Sequence, residues 1–494
     1  MSLDPSPLSP QPTPLLHPTD PVPGRGSALV GALISVALAV VVGFVSLKLG
    51  TALIFLPQGV NARAQGVVNQ LPQIQGFDYY WSGSFTPKTY GYNHPDINAK
   101  NLSDEATNYH MNLVVITVTA NEAFYSNGTL NPTVVYQKNA DTYPDQTYID
   151  LITAAQNAGL TPAIKLDLRL TGPAGINPLS THVGTDWTSD TRSEQTWFKS
   201  YTNFVLHYAQ LAEKYNVPLM IIGHDLSFIA TDTDSNTLAG YVDAKGNPKP
   251  KACEGYAKCY GRHDQEWRHM VRAIQNSGYT GRLTFAATVD PSILGTPEYS
   301  TITWWDALDI IGVDAFFPLT KGGDRSSAQL QDAWQGLDPS NPLNSYAALK
   351  KVHDQYVDLP LLFTAAGYES TSGANVSPGS RDTLNSQPDN VEQTNDMKAL
   401  LDTFGNKPWW LGVVWASDYP ISPRSAAADP SVAGANGVVG LNEPSWAINT
   451  EWAGDCLLDA PNPCPNPEKE AGQWLRGYYK PSPLSDTFWD SLHT

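Results

Sequence analysis

The stretch LLFTAAGYES, residues 361–370, runs almost entirely apolar for six residues, halts at Gly367 and turns polar. An apolar run of that length without an alternating polar face suits a strand buried on both sides, as in a parallel sheet covered by helices. The same pattern recurs in seven other places: IQGFDYYW (74–81), NLVVITVTA (112–120), TPAIKLDL (161–168), PLMIIGHDL (218–226), RLTFAATVD (282–290), LDIIGVDAFF (308–317) and WLGVVWASD (410–418). Between these runs, apolar residues fall three and four apart, the spacing of one helix face. Such stretches are YIDLITAAQNAGL (148–160), with Gly159 as a stop signal, and TWFKSYTNFVLHYAQLAEKY (196–215). HDQEWRHMVRAIQNSG (263–278), YAALKKVHDQY (346–356), NDMKALLDTFG (395–405) and AGQWLRGYY (471–479) complete the set. Eight strands alternating with helices predict an α/β fold, the (β/α)8 TIM barrel. The rival, an open doubly wound sheet, would carry a Gly-rich phosphate loop after its first strand, and GFDYYWSG is not one.

A barrel of this kind places its active site at the C-terminal strand ends. Those ends carry Asp78, Thr119, Asp167, His224 with Asp225, Asp290, Asp314, Glu369, and Trp415 with Asp418. Any one of these carboxylates taken alone is more commonly a structural hydrogen-bonding or salt-bridging group. Their convergence on one mouth, with aromatic rings beside them, suits a sugar, whose hydroxyls take hydrogen bonds and whose CH faces stack on rings. Trp415 is the expected stacking floor. His224 and His263 are not spaced as a metal pair, so His224 reads as a substrate contact or a structural hydrogen-bonder. No metal and no cofactor are expected.

Four of the strand ends resemble glycoside hydrolase family 113, the β-mannanase group. MIIGHDL is similar to its IGTEL-type fourth strand, and DALDIIGVDAFFPLT to its sixth. LPLLFTAAGYES is similar to its FTE-x-GY seventh strand, and PWWLGVVWASDYP to its Trp-rich eighth. The likeness spans about residues 74–480. It implies a retaining glycosidase in which the fourth-strand Glu is the general acid/base and the seventh-strand Glu the nucleophile. Position by position, these fall on Asp225 and Ala365, and the family's tyrosine near the end of the sixth strand falls on Phe316. All three departures touch one chemical unit. A retaining enzyme needs two carboxyl groups about 5–5.5 Å apart. Asp for Glu withdraws the acid by one methylene, and a misplacement of about 1 Å costs on the order of 10²-fold. Ala365 removes the nucleophile, and Phe316 then avoids a buried hydroxyl without its partner.

Two replacements are open to such a site. Glu369 has the side-chain parity of Ala365 but lies about 13 Å further along an extended chain; a turn at Gly367 would have to fold it back. Asp167 with Asp290 would suit an inverting arrangement, which tolerates carboxyls about 6.5–9.5 Å apart. The function expected is therefore a glycoside-hydrolase-like protein that binds or acts on a β-linked oligo- or polysaccharide, with Asp225 and Glu369 as the catalytic candidates. The alternative is a catalytically silent module for glycan or protein contacts.

The flanks bear on location. Residues 1–26 are rich in Pro and Ser and are expected to be disordered. Ser27–Leu47 is 21 residues without a charge, enough to cross a bilayer, so 27–49 is expected as a single transmembrane helix and 50–71 as a linker. ARA at 62–64 leaves open a cleaved signal and a secreted product, although the apolar run is long for a signal and lacks a basic cluster before it. The barrel is expected over 72–480, with 481–494 as a C-terminal tail. The four cysteines form two close pairs, Cys253 with Cys259 and Cys456 with Cys464. Two short-loop disulfides would put the barrel in an oxidising, extracytoplasmic compartment, while zinc sites favour tighter spacing. A net charge of −18 argues against nucleic acid as a partner. DTDSNTLAGYVD (232–243) alternates acidic residues as calcium loops do but lacks the Gly and Glu they need at positions six and twelve, and reads as a solvated loop.

Overall fold

In a computed structural model the chain is described at residues 74–79, 92–126, 129–136, 142–171, 183, 191–232, 262–291, 295–323, 325–338, 343–379, 389–418 and 469–492. All of them belong to the unit Val67–Thr494. The strands are β1 (Ile74–Tyr79), β2 (Leu113–Ser126), β3 (Thr129–Val135), β4 (Thr161–Thr171), β5 (Leu219–His224), β6 (Arg282–Thr288), β7 (Ile311–Asp314), β8 (Leu361–Ala366) and β9 (Trp410–Asp418). All except β3 are parallel to their neighbours, and the ring closes because β1 pairs with both β2 and β9. This is the expected (β/α)8 barrel. The extra strand β3 forms an antiparallel hairpin with the end of β2, pairing Ser126 with Thr129.

The helices that cover the barrel are α1 (Pro95–Asn108), α2 (Asp145–Asn157), α3 (Thr191–Lys214), α4 (Ser227–Ala230) and α5 (Arg262–Asn276), followed by α6 (Ser327–Trp334), α7 (Ser345–Gln355), α8 (Asn390–Phe404), α9 (Glu470–Tyr478) and α10 (Asp486–Ser491). Gly159 stops α2 as its position suggests. With φ at +81° it lets its own N–H reach Gln156 O and that of Leu160 reach Ala155 O, each at 3.0 Å.

Strand alternation splits the core in two. Phe77, Ile116, Leu166, Ile222, Phe285, Phe363 and Trp415 face the helices, where aromatic rings such as Trp267 and Trp304 stack at 4.7 Å. Ile74, Leu113, Val115, Leu219, Ile221, Leu362 and Val414 fill the lower lumen. Gly412 is required where β9 meets β1. Its φ is +143°, and a Cβ there would stand 2.0 Å from Ile74 O.

The lower lumen is closed by the C-terminal segment. Phe488, Trp489 and Leu492 join the lumen cluster. Gln75 and Asn112 donate side-chain N–H groups to Lys480 O and Ser482 O, and Arg282 Nε donates to Trp489 O at 2.7 Å. The barrel boundary expected at 480 is therefore too early, because residues 481–492 plug its base. Residues 27–49, the linker 50–71, all four cysteines and the greater part of the 232–243 loop lie outside the described residues. Among the described residues no helix is long and apolar enough to cross a membrane.

Candidate active site

Above the apolar lumen lies a layer of polar side chains supplied by the barrel strands. Lys165 shares the parity of Ala163 and so projects into the lumen from β4, where it is 4% exposed. Its Nζ lies 2.5 Å from Asp78 Oδ2, and the Thr117 hydroxyl donates to Asp78 Oδ1 at 3.1 Å. Burial pulls the ammonium pKa down, but the carboxylates of Asp78 and Asp314 outweigh it and hold Lys165 above its usual range. The group is a permanent cation.

His224, at the end of β5, joins two further strands. Its Nδ1 lies 3.3 Å from Asp167 Oδ1 on β4 and its Nε2 3.0 Å from Asp314 Oδ2 on β7. Burial opposes a charge on the ring, yet the hydrogen bonds to Asp167 and Asp314 raise its pKa from 6.5 to about 10. Asp314 is itself buried, which favours its proton, but His224 lowers its pKa below the ordinary value. Thr364 donates its hydroxyl to the other Asp314 oxygen at 2.7 Å. The sequence-expected residues Asp78, Asp167, His224 and Asp314 thus belong to one layer, completed by Thr117, Lys165 and Thr364. Gly312 keeps that layer compact, since a Cβ there would lie 2.3 Å from Phe285 O.

The remaining expected residues are placed differently. Asp225 is the first residue beyond β5, exposed, with φ at +51° in the left-handed region that Asp tolerates better than most side chains. Thr119 is buried on β2 in register with Asp167. Asp290 is exposed past the end of β6, where its N–H meets the Thr288 hydroxyl. Asp418 ends β9. Trp415, expected as a stacking floor, is 0% exposed; it sits on the helix-facing side of β9 and its Nε1 donates to the Tyr479 hydroxyl at 3.0 Å. That expectation is corrected by parity, because its neighbour Val414 is the residue that faces the lumen.

Ala365 pairs with Asp314 across β8 and β7, 3% exposed, and its carbonyl accepts from Ala315 N at 2.6 Å. Phe316 follows, half-buried, its N–H donated to Asp314 O. Glu369 is only 6% exposed, with the Thr371 hydroxyl 3.4 Å from its Oε2. The loop beyond is pinned by Glu392 on α8, whose carboxylate accepts from Gly373 N and Asn375 Nδ2 at 3.0 and 2.7 Å.

Four residues of the site were missed in the sequence: Thr117, Lys165, Thr364 and Glu298. Lys165 had a signal: a cation inside a run buried on both faces must have a partner. Glu298 had none. It lies on a 3₁₀ turn, Glu298–Ser300, fully buried, with Oε2 accepting from Thr288 N at 2.8 Å. Burial first, then the charges of Asp225 and Asp314 against the opposing pull of the Thr288 N–H and His224, raise its pKa to about 8. Among the described residues no cluster of three or more His, Cys, Asp or Glu is arranged to hold a metal ion.

A closed parallel barrel with carboxylates and an imidazolium gathered at the C-terminal mouth defines the class, a barrel of glycoside-hydrolase type. The profile of Glycoside Hydrolase Family 113 matches residues 86–238 and 253–430, and the chain belongs to that family. Among solved structures it is similar to a complex of a GH113 β-1,4-mannanase, at 17% identity and a TM-score of 0.53, over 83% of this chain and 99% of that one. A second GH113 β-1,4-mannanase structure aligns at 18% identity and a TM-score of 0.52 over the same shares. The GH113 β-mannanase AaManA from Alicyclobacillus acidocaldarius, in complex with ManMIm, aligns at 16% identity and a TM-score of 0.54, over 83% of this chain and 98% of that one. At such identities the likeness is one of fold. No curated protein matches the chain.

Proposed function

We propose that the chain is a membrane-anchored, extracytoplasmic member of its family that takes a β-linked oligo- or polysaccharide into the barrel mouth without retaining turnover. One observation carries this reading. At the register of the missing nucleophile, Ala365 faces Asp314, whose carboxylate is already committed to His224 and Thr364. The relocated alternative, Glu369, sits buried against Thr371 ahead of a loop pinned by Glu392. Asp225 holds the acid/base position, Asp78, Asp167, His224, Asp290 and Asp314 supply the polar rim and floor, and Asp418 is assigned to the same rim from its sequence position alone. The similarity to β-1,4-mannanase structures makes β-1,4-mannan the first ligand to try.

Calorimetry with a β-1,4-linked manno-oligosaccharide is expected to show binding, and chromatography of the same mixture to show intact ligand. Steady hydrolysis that disappears in Glu369→Gln would overturn the reading and make Glu369 the nucleophile. The uncharged run Ser27–Leu47 supports the anchor, and the paired cysteines support disulfides Cys253–Cys259 and Cys456–Cys464 outside the cytoplasm. The chain is then expected to stay with membranes through alkaline carbonate washing. Release of soluble protein beginning after residue 64 would favour secretion instead.

A further inference from the structure

The strand β2 runs on past the polar layer. Its register with β4 is unbroken from the pair Leu113 and Thr161 to the pair Ala123 and Thr171, so side chains alternate along it without a slip. Two hydrogen bonds fix which face is which. The Thr117 hydroxyl donates inward to Asp78, while the Glu122 carboxylate points outward and accepts from Trp197 Nε1 on α3 at 3.0 Å. Thr119 and Asn121 therefore share the inner face with Thr117 and lie above it. β4 carries the matching series, with Asp167 as the register partner of Thr119 and Arg169 as that of Asn121. On its other side Asn121 pairs with Val135 of the antiparallel β3. These three strands form a wall above the layer that holds Lys165 and His224.

Asn121 is 1% exposed, and among the described residues neither its side-chain oxygen nor its side-chain nitrogen has a hydrogen-bond partner. The polar groups below it have internal tasks. Asp78 is held by Thr117 and Lys165, and Asp167 by His224. The amide of Asn121 has none. Burying a donor and an acceptor with both unfilled destabilises the unliganded fold, and an apolar side chain of similar size would avoid that cost. An amide kept in this state has its partner outside the protein.

We propose that Asn121 is a ligand-contacting residue of the sugar site, its amide donating to one hydroxyl of a bound β-linked sugar and accepting from the adjacent one. The inference rests on the glycan reading above and adds a contact on the wall of the same mouth. A primary amide presents an acceptor oxygen and two donor hydrogens in one plane, and each sugar hydroxyl can donate or accept. In a 1,4-linked hexose chain the hydroxyls left on adjacent ring carbons are those at C2 and C3, so this is the pair recognised. The enclosed amide becomes reachable when a side chain beside it gives way. Arg169, long and half-buried on the same face, has the freedom to do so.

The test is calorimetry of the full-length protein with β-1,4-linked mannopentaose, for the wild type, Asn121→Leu and Asn121→Ala, with thermal melts of all three in the absence of ligand. Loss of two hydrogen bonds is expected to weaken binding about tenfold to a hundredfold in both variants. Unliganded Asn121→Leu is expected to melt no lower than the wild type, because the substitution removes an unsatisfied amide. A loss of affinity without a loss of stability is the signature of a ligand contact. Both variants melting well below the wild type would mean that the amide holds the wall together, and overturns the proposal. Should leucine alone fit badly, the affinity of the alanine form decides. Wild-type affinity in a folded variant overturns the proposal and leaves the glycan reading standing. Absence of binding by the folded wild type removes the glycan reading and this proposal with it.

Discussion

His224 bridges two carboxylates with one imidazole ring, and only the protonated ring donates from both nitrogens. Its pKa in the folded state is raised to about 10 from 6.5. A raised base pKa stabilises the fold fully below the unfolded value, and the contribution is lost as pH rises through the folded one. The stabilisation is therefore present at neutral pH and fades toward pH 10. Removing the ring takes away the hydrogen bonds to Asp167 and Asp314 and leaves Lys165 as the remaining cation near them. His224→Gln is expected to lower the unfolding free energy near neutrality by about 2 kcal/mol, less than the 3–5 typical of a fully buried pair, because the ring is 31% exposed. Urea denaturation at a series of pH values checks this. The gap between the two proteins should close as the pH passes about 10, and a gap of constant size would mean that the imidazole contributes packing rather than charge. Under the proposed function, the same residue keeps Asp314 from standing in for a nucleophile at the Ala365 register, because both Asp314 oxygens are already hydrogen-bonded.

Among the elements, the eight barrel strands were legible because burial on both faces writes an unbroken apolar run. Their ends were less so. The run 308–317 forms a strand only over Ile311–Asp314, since Phe316 N turns back onto Asp314 O. Five elements, β3, α1, α4, α6 and α10, were not anticipated, and three of them show why. β3 reads TLNPTVV, with a Pro that argues against a strand, and is tolerated as an outer strand bonded to β2 alone. α1 reads PDINAKNLSDEATN, too polar to show a stripe, and its visible cue is the Pro at its first turn. α10 has six residues, too few for a period, and only the barrel base gives Phe488 and Trp489 something to pack against. The site followed the same division. Asp78, Asp167, His224 and Asp314 could be expected near one another because each falls in the polar part that follows a legible apolar run. Trp415 was given the wrong face because Gly412, at φ +143°, interrupts β9 and a run of apolar residues does not reveal its own parity. Glu298 escaped because a short turn after β6 carries no pattern.

At the scale of the whole molecule, the C-terminal segment closes the base of the barrel, and the acidity of the chain suits a neutral glycan better than a polyanion. The central claim is that the C-terminal mouth accepts a β-glycoside but lacks the group that attacks it. A small external nucleophile can take the place of a missing carboxylate when the leaving group departs without a proton. The decisive measurement is therefore release of dinitrophenolate from 2,4-dinitrophenyl β-mannoside by the wild-type protein, with and without azide. Azide would attack the anomeric carbon from the face opposite the departing phenolate, giving α-mannosyl azide. The account predicts release at the background rate in buffer, and an azide-dependent rate with that product when azide is added. Rapid release without azide, yielding free mannose, would contradict it by showing that the protein supplies a nucleophile of its own.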